Sequence, residues 1–501
     1  MTKVTRRKLI IGSAGMIGAA GLAGAAIVGP RISTWMTDSS VISTDHETNL
    51  TIPPVATGEL RDGIRHFDLN LQAGTSEFVS GQLTPTSGAN GSYLGPTLRA
   101  SRGEIVQVNV HNSLTEDTSV HWHGMHLPPE MDGGPHQMIE TGTSWLPVWE
   151  IAQPAATLWY HPHPHGKTAE HTWNGLAGLF IIDDDIPANL PSDYGVDDIP
   201  LVIQDRGFDD DGDFDRTDWA FGYFGDHILV NGTWGARFEV TRKLTRFRIL
   251  NGSNTRWYNL AFVDDRPFQV IATDSGYVGE NPPELTSLLI SPGERAEIVV
   301  EFAPGDDVML RSVGEDRWQL DDYGVENDFD IIRFIADGRL GESDEIVVPR
   351  FTSKLDDPLG ENRRRYSLEG HNAINGKEMD MSRIDDVITT GAEEIWEVYA
   401  TRFASHNFHI HGVSFEVLDV NGEEPPVHQR GPKDTVQVLK DKTVTLRVTF
   451  PDYSDETYPY MYHCHILRHE DNGMMGQFLV VEPGRENQVP KSIEDAHSHH
   501  S

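Results

Sequence analysis

From about residue 55 onward, apolar residues recur with period two, and helical periodicity is almost absent. Ile105-Val106-Gln107-Val108-Asn109-Val110, Phe247-Arg248-Ile249-Leu250 and Val444-Thr445-Leu446-Arg447-Val448-Thr449-Phe450 are three such runs, set off by Gly, Pro, Asn and Asp. A strand sends alternate side chains to opposite faces, so these runs read as strands that bury one face. Many short strands between turn residues predict an all-β chain of antiparallel β-sandwiches. The 501 residues suggest three domains at about 150 residues each. Acidic or Pro-rich joins near 183–200 and 340–360 put them at 51–190, 191–345 and 346–485. Residues 31–50 read as a polar, flexible linker. Residues 486–501, with His497, His499 and His500, read as a disordered tail.

Residues 2–8, Thr-Lys-Val-Thr-Arg-Arg-Lys, precede an Ala-, Gly-, Leu- and Ile-rich run to about Gly29. This is the pattern of an export signal over 1–30, and Arg6-Arg7 favours the twin-arginine type, which exports folded proteins and so suits an inserted cofactor. Ala23-Gly24-Ala25 is a candidate cleavage motif. The run is also long enough to stay as a membrane anchor if uncleaved. The expected location is extracellular or at the cell surface.

Asp and Glu number 77 against 40 Lys and Arg, a net charge of −37. That disfavours nucleic acid as a partner, which needs a basic surface. Only 10 of the 40 basic residues are Lys. A solvated acidic surface is the simplest reading, and adaptation to high salt, as in a halophile, is a sharper one. The Asp run at 209–215 resembles part of a calcium loop but lacks its terminal Glu.

Four stretches concentrate the chemistry: His121-Trp122-His123-Gly124, His161-Pro162-His163-Pro164-His165, His406-Asn407-Phe408-His409-Ile410-His411, and His463-Cys464-His465 with His469 and Met474. On a strand each His-x-His places two imidazoles side by side. In His463-Cys464-His465 the imidazoles point one way and the sulfur the other. A metal on Cys464 is then a few covalent bonds from metals on the flanking rings. Cys464, His406 and His469 supply one soft sulfur and two imidazoles, and Met474 a weak axial thioether, which is the blue-copper donor set. Met475 competes for the axial place, and spacing favours Met474. The eight remaining imidazoles, in four pairs without a carboxylate, suit copper that cycles between two oxidation states. They suffice for three ions with open positions. His165 and His171 exceed the count and are taken as outer-shell residues. Cys464 is the only cysteine, so intramolecular disulfides, Cys-rich zinc sites and lipoprotein anchoring are excluded.

These motifs, with Met131-Asp132-Gly133-Gly134-Pro135 and Leu250-Asn251-Gly252-Ser253-Asn254, resemble the three-domain multicopper oxidases of the bacterial and archaeal laccase, cuprous oxidase and bilirubin oxidase group over residues 50–485. The resemblance implies three cupredoxin-like Greek-key β-sandwich domains and four copper ions. It makes His406, Cys464, His469 and Met474 the type 1 site and His121 and His409 the type 2 ligands. His123, His161 and His465 would hold one type 3 copper, and His163, His411 and His463 the other. Donor electrons would enter at type 1 copper and pass through Cys464 to His463 and His465, and O₂ would be reduced to water at the trinuclear cluster. Asp132 and Glu470 match positions implicated in proton delivery; the alternative is that they only orient ligating rings.

Substrate is less legible. Cuprous oxidases carry an Asp and a Met just before the type 1 His, and Arg402 and Ala404 stand there; only Met379 and Met381 suggest a Met-rich segment. A laccase-like oxidation of phenols, aromatic amines or bilirubin is therefore favoured over Cu(I) or Mn(II) oxidation. A copper nitrite reductase would not need the second and fourth motifs. A non-catalytic copper-binding protein would not need an open cluster. Asn49, Asn90, Asn231 and Asn251 sit in glycosylation sequons, with Asn251 the least suited. A monomer is expected.

Overall fold

The computed structural model describes residues 44–493, except 217–220, 316, 352, 354–359, 361, 452 and 490. The export-signal reading and the final histidines lie outside the described residues. No helix among the described residues is long and apolar enough to cross a membrane.

Six sheets enclose three main cores. In the first sandwich, the strands Ile64–Ser76 and Ile105–Asn112 face a second sheet built on Thr97–Ser101, Gly178–Asp183, Ala156–His161 and His121–His123. The run 105–112 behaves as its period requires: Val106, Val108 and Val110 are fully buried, each worth roughly 1.5–3 kcal/mol of apolar burial. The middle sandwich packs Asp198–Phe208, Leu244–Asn251 and Arg295–Glu301 against Ala236–Arg242, Asp307–Ser312 and Phe329–Gly341. In the third, Arg363–Glu369, Glu393–Ala400 and Lys442–Thr449 cover the sheet of His406–Ile410, Tyr460–His463 and Met475–Val481.

Three expectations are corrected. The sheets are mixed rather than antiparallel, and every one contains a parallel pair, such as Ile64–Ser76 with Ile105–Asn112 or Asp386–Thr389 with Met475–Val481. Period two reports which face is buried and is blind to strand direction. The end of the 31–50 segment is not linker: Thr48–Asn49 pairs with Ala236–Arg237 of the middle sandwich, and His46 Nδ1 bonds the Ala236 carbonyl. Nor is the start of the tail free, since Val489 and Ile493 pack on Ile384 and Val481.

The run 247–250 is buried on both faces. Arg248 is spent in a closed network with Asp198 and Glu297, and Thr157 of the first sandwich joins it. Buried charges are tolerated only when paired and hydrogen-bonded in this way. Asp209 spends its carboxylate on the amides of Asp211 and Asp213, so the Asp run is a self-capped turn. Asn231, like Asn251, is buried with its amide bonded to backbone carbonyls, which leaves Asn49 and Asn90 as the exposed sequons.

Candidate metal centre

The four histidine motifs lie on neighbouring strands of two facing sheets. His121–His123 runs antiparallel to Ala156–His161, with His121 opposite His161. In the third sandwich His406–Ile410 runs antiparallel to Tyr460–His463, with His409 opposite His463. Alternation sends Trp122 into the first core, against Trp149, and leaves His121 and His123 facing the other sandwich. There His121 stacks on His411, and His123 on His409, at ring separations of 3.8 and 3.7 Å. All eight rings are buried. Their ring nitrogens gather as His123, His161 and His465, as His163, His411 and His463, and as His121 with His409.

Hydrogen bonds at the back of four of the rings decide which nitrogen faces the cluster. Nδ1 of His121 donates to the Asp132 carbonyl, that of His409 to the Asp434 carbonyl, that of His411 to the Asp132 carboxylate and that of His463 to the Cys464 carbonyl. A neutral imidazole has one N–H, so each Nε2 is then a bare lone pair. Yet Nε2 of His411 lies 3.0 Å from Nε2 of His463, and Nε2 of His121 lies 3.4 Å from that of His409. Lone pairs so placed repel unless a cation sits between them. Two nitrogens on one metal at about 2.0 Å are spaced in just this range. Burial holds every ring below the ordinary histidine range, His409 at about 4, so all are neutral and ready to ligate. The residues fit copper.

Cys464 lies on the opposite side of the same strand end. Its sulfur is 3.6 Å from Nδ1 of both His406 and His469, and those two nitrogens are 3.3 Å apart. Burial pushes the thiol up to about 12, so a soft cation is needed to hold the thiolate. His469 is carried by the short helix Leu467–Asp471. Met474 is buried in the same core cluster as Cys464, and its amide bonds the His469 carbonyl. Met475 instead lines a small cavity beside Tyr462 and Asp385.

Asp132 and Glu470 are both at the cluster. Asp132 receives the His411 Nδ1 proton at 2.7 Å. Glu470 lies 3.5 and 3.3 Å from Nδ1 of His163 and His463. Burial pushes both carboxyls well above the ordinary range. His165 is exposed, and His171 bonds Thr118, so neither joins a cluster. Met379 packs by its amide on the Gly473 carbonyl, next to Met474.

The middle sandwich takes a part in the site that no sequence motif announces. His123 is turned opposite to those four rings: its Nε2 donates to Asp434 at 3.0 Å, which leaves Nδ1 for the cluster. Asp434 is held by Arg295 of the middle sandwich. Burial raises the Asp434 carboxyl, and the Arg295 guanidinium more than reverses this. Gly124 follows His123 with φ of 86°, and a Cβ there would meet Asp434 and Arg295 at 2.5 and 2.7 Å. Gly293 likewise leaves room for the His465 ring, which a Cβ would approach to 2.9 Å. Asn407 accepts from the His465 amide and donates to the Pro292 carbonyl. No spacing rule flags Asp434 or Arg295, because their role depends on a contact across 139 positions of chain.

Family models described as multicopper oxidase match residues 70–186, 209–314 and 350–484. The chain is 36% identical to the multicopper oxidase mco of Staphylococcus haemolyticus, covering 88% of this chain and 94% of that one. It is 37% identical to the cell division protein FtsP of a Rahnella strain, covering 86% and 92%. Among solved structures it is similar to a laccase from Pediococcus acidilactici, with a TM-score of 0.79 at 33% identity, covering 87% and 94%.

Proposed function

Because the chain belongs to the multicopper oxidase family, we propose that it is a laccase-like enzyme that couples one-electron oxidation of phenolic and aromatic donors to four-electron reduction of O₂ to water. The observation that carries this is the set of facing lone pairs: ring nitrogens at 3.0–3.4 Å whose back nitrogens are already committed as donors. In this reading His406, Cys464, His469 and Met474 hold type 1 copper and His121 and His409 type 2. His123, His161 and His465 hold one type 3 copper, and His163, His411 and His463 the other. Four bound copper ions supply the one-electron redox chemistry.

The chain's own residues supply geometry and protons. The carbonyl and carboxylate acceptors fix the tautomer and tilt of His121, His409, His411 and His463 before any ion arrives. Cys464 sits between His463 and His465, so the path from the donor site to the cluster is covalent. Asp132, which accepts from His411 Nδ1, and Glu470, 3.5 and 3.3 Å from Nδ1 of His163 and His463, are carboxyls that burial pushes up, and in this reading they deliver the protons that water formation requires. Arg6-Arg7 and the apolar run after it support export before the enzyme works.

A non-catalytic role is the second reading, since one relative is a cell division protein. The full set of ten imidazoles and one thiol speaks for catalysis. O₂ uptake by the copper-loaded protein, with phenols, bilirubin, Cu(I) and Mn(II) compared at low and high salt, decides between them. Uptake with phenols is expected. Binding of copper without uptake on any donor would refute the enzyme reading, and uptake with Cu(I) alone would make it a metal oxidase.

A further inference from the structure

His469 is fully buried, so no donor touches it directly. Its ring is covered by that of His371, stacked at 4.7 Å and 19°. His371 is half-buried and flanked by Phe221 at 4.7 Å and Phe403 at 5.0 Å. Phe403 is 62% exposed, among the described large apolar residues second to Leu83 and level with Leu60. Next to it in the chain, Arg402 is exposed and lies over the ring of Trp318, itself 47% exposed. Lys440 reaches the same indole and is paired with Asp322. Among the described residues no carboxylate is within ion-pair reach of Arg402. On a chain of net charge −37, an Arg left to an aromatic partner beside an exposed ring is a local exception.

We propose that Phe403, Phe221 and His371 form the docking platform for the reducing substrate, with His371 passing the contact on to His469, and that Arg402 selects flat aromatic donors carrying an anionic group. This rests on the reading of His469 as a type 1 ligand. An aromatic donor stacks on an exposed ring through its face, and a carboxylate or sulfonate on its rim meets the Arg402 guanidinium. Each docked phenol gives up one electron through the ring stack and its hydroxyl proton to solvent. Four such events balance the four electrons and four protons taken up by one O₂. The same positive charge disfavours Cu(I) and Mn(II), which matches the missing Asp and Met at 402 and 404.

Syringate and 2,6-dimethoxyphenol share one ring and differ by a carboxylate, so their oxidation at fixed ionic strength isolates the charge. Arg402→Glu should lower kcat/KM for syringate about tenfold, the scale of one charge contact, and change that for 2,6-dimethoxyphenol less than about twofold. Phe403→Ala should raise KM for both. The blue absorption band should stay unchanged in each variant. Calorimetry adds a readout free of turnover: naphthalene-2-sulfonate, which is not oxidised, should bind the purified protein and lose that binding in Arg402→Glu. Equal effects on both phenols, or sulfonate binding that survives the substitution, would overturn the anion selection. If no phenol is oxidised at all, the enzyme reading fails instead, and the sulfonate measurement still judges the platform.

Discussion

Arg295 and Asp434 meet end to end in a fully buried pair, with Nη1–Oδ1 at 2.7 Å and Nη2–Oδ2 at 2.5 Å, and the same Oδ1 receives the His123 Nε2 proton. The middle sandwich, which contributes no ring to the cluster, thereby sets the tautomer of one of its rings. Arg295→Met leaves the Asp434 charge buried and unpaired, at a cost of about 3–5 kcal/mol. Asp434→Asn keeps the shape but loses the charge that holds His123. It should weaken copper at the cluster roughly 10–100-fold while the blue band, which reports Cys464, persists. Copper content and the type 2 resonance signal, measured beside the band, separate the two effects.

In the proposed function Cys464 is both the soft ligand and the covalent link to His463 and His465. Cys464→Ser should abolish the blue band and donor oxidation together, while the histidine cluster still takes up copper. Retention of donor-driven O₂ uptake by this variant would disprove the electron path.

Asp132→Asn keeps an acceptor for the His411 ring but cannot pass a proton. Steady-state O₂ consumption should fall about 10²-fold, the low end of general acid catalysis, with all coppers bound. An unchanged rate would leave Asp132 as a positioning residue only.

Glu297 is buried between Arg246 and Arg248. Burial raises its carboxyl, and the two guanidiniums overcome this and hold it at about 2. A carboxyl lower in the folded than in the unfolded chain adds stability above its unfolded value of 4.5 and loses it as pH falls toward 2. The contribution is about 3 kcal/mol near neutral pH. Urea unfolding of the wild type and Glu297→Gln at pH 6 and pH 3 should show a gap that narrows at the lower pH.

The −37 charge predicts a melting temperature that rises with molar KCl as self-repulsion is screened. A flat or falling curve in calorimetric scans would remove the case for salt adaptation.

The all-β class, the gathering of the paired histidines and Cys464 into clusters and the exclusion of His165 from them were legible in the sequence because they follow from short-range rules. Period two and His-x-His both report which side of a strand a residue faces, and Cys464 between two histidines fixes a covalent path whatever the fold. Strand direction was not legible, because alternation reads the same in parallel and antiparallel pairs. Thr48–Asn49 looked like linker because an edge strand of two residues has too little pattern to read. Only the tertiary structure decided which nitrogen of His121, His123, His409, His411 and His463 faces the cluster, that Arg295 holds Asp434, and that His371 covers His469. Those choices depend on hydrogen bonds and ring contacts between positions far apart in the chain, which local residue order does not encode.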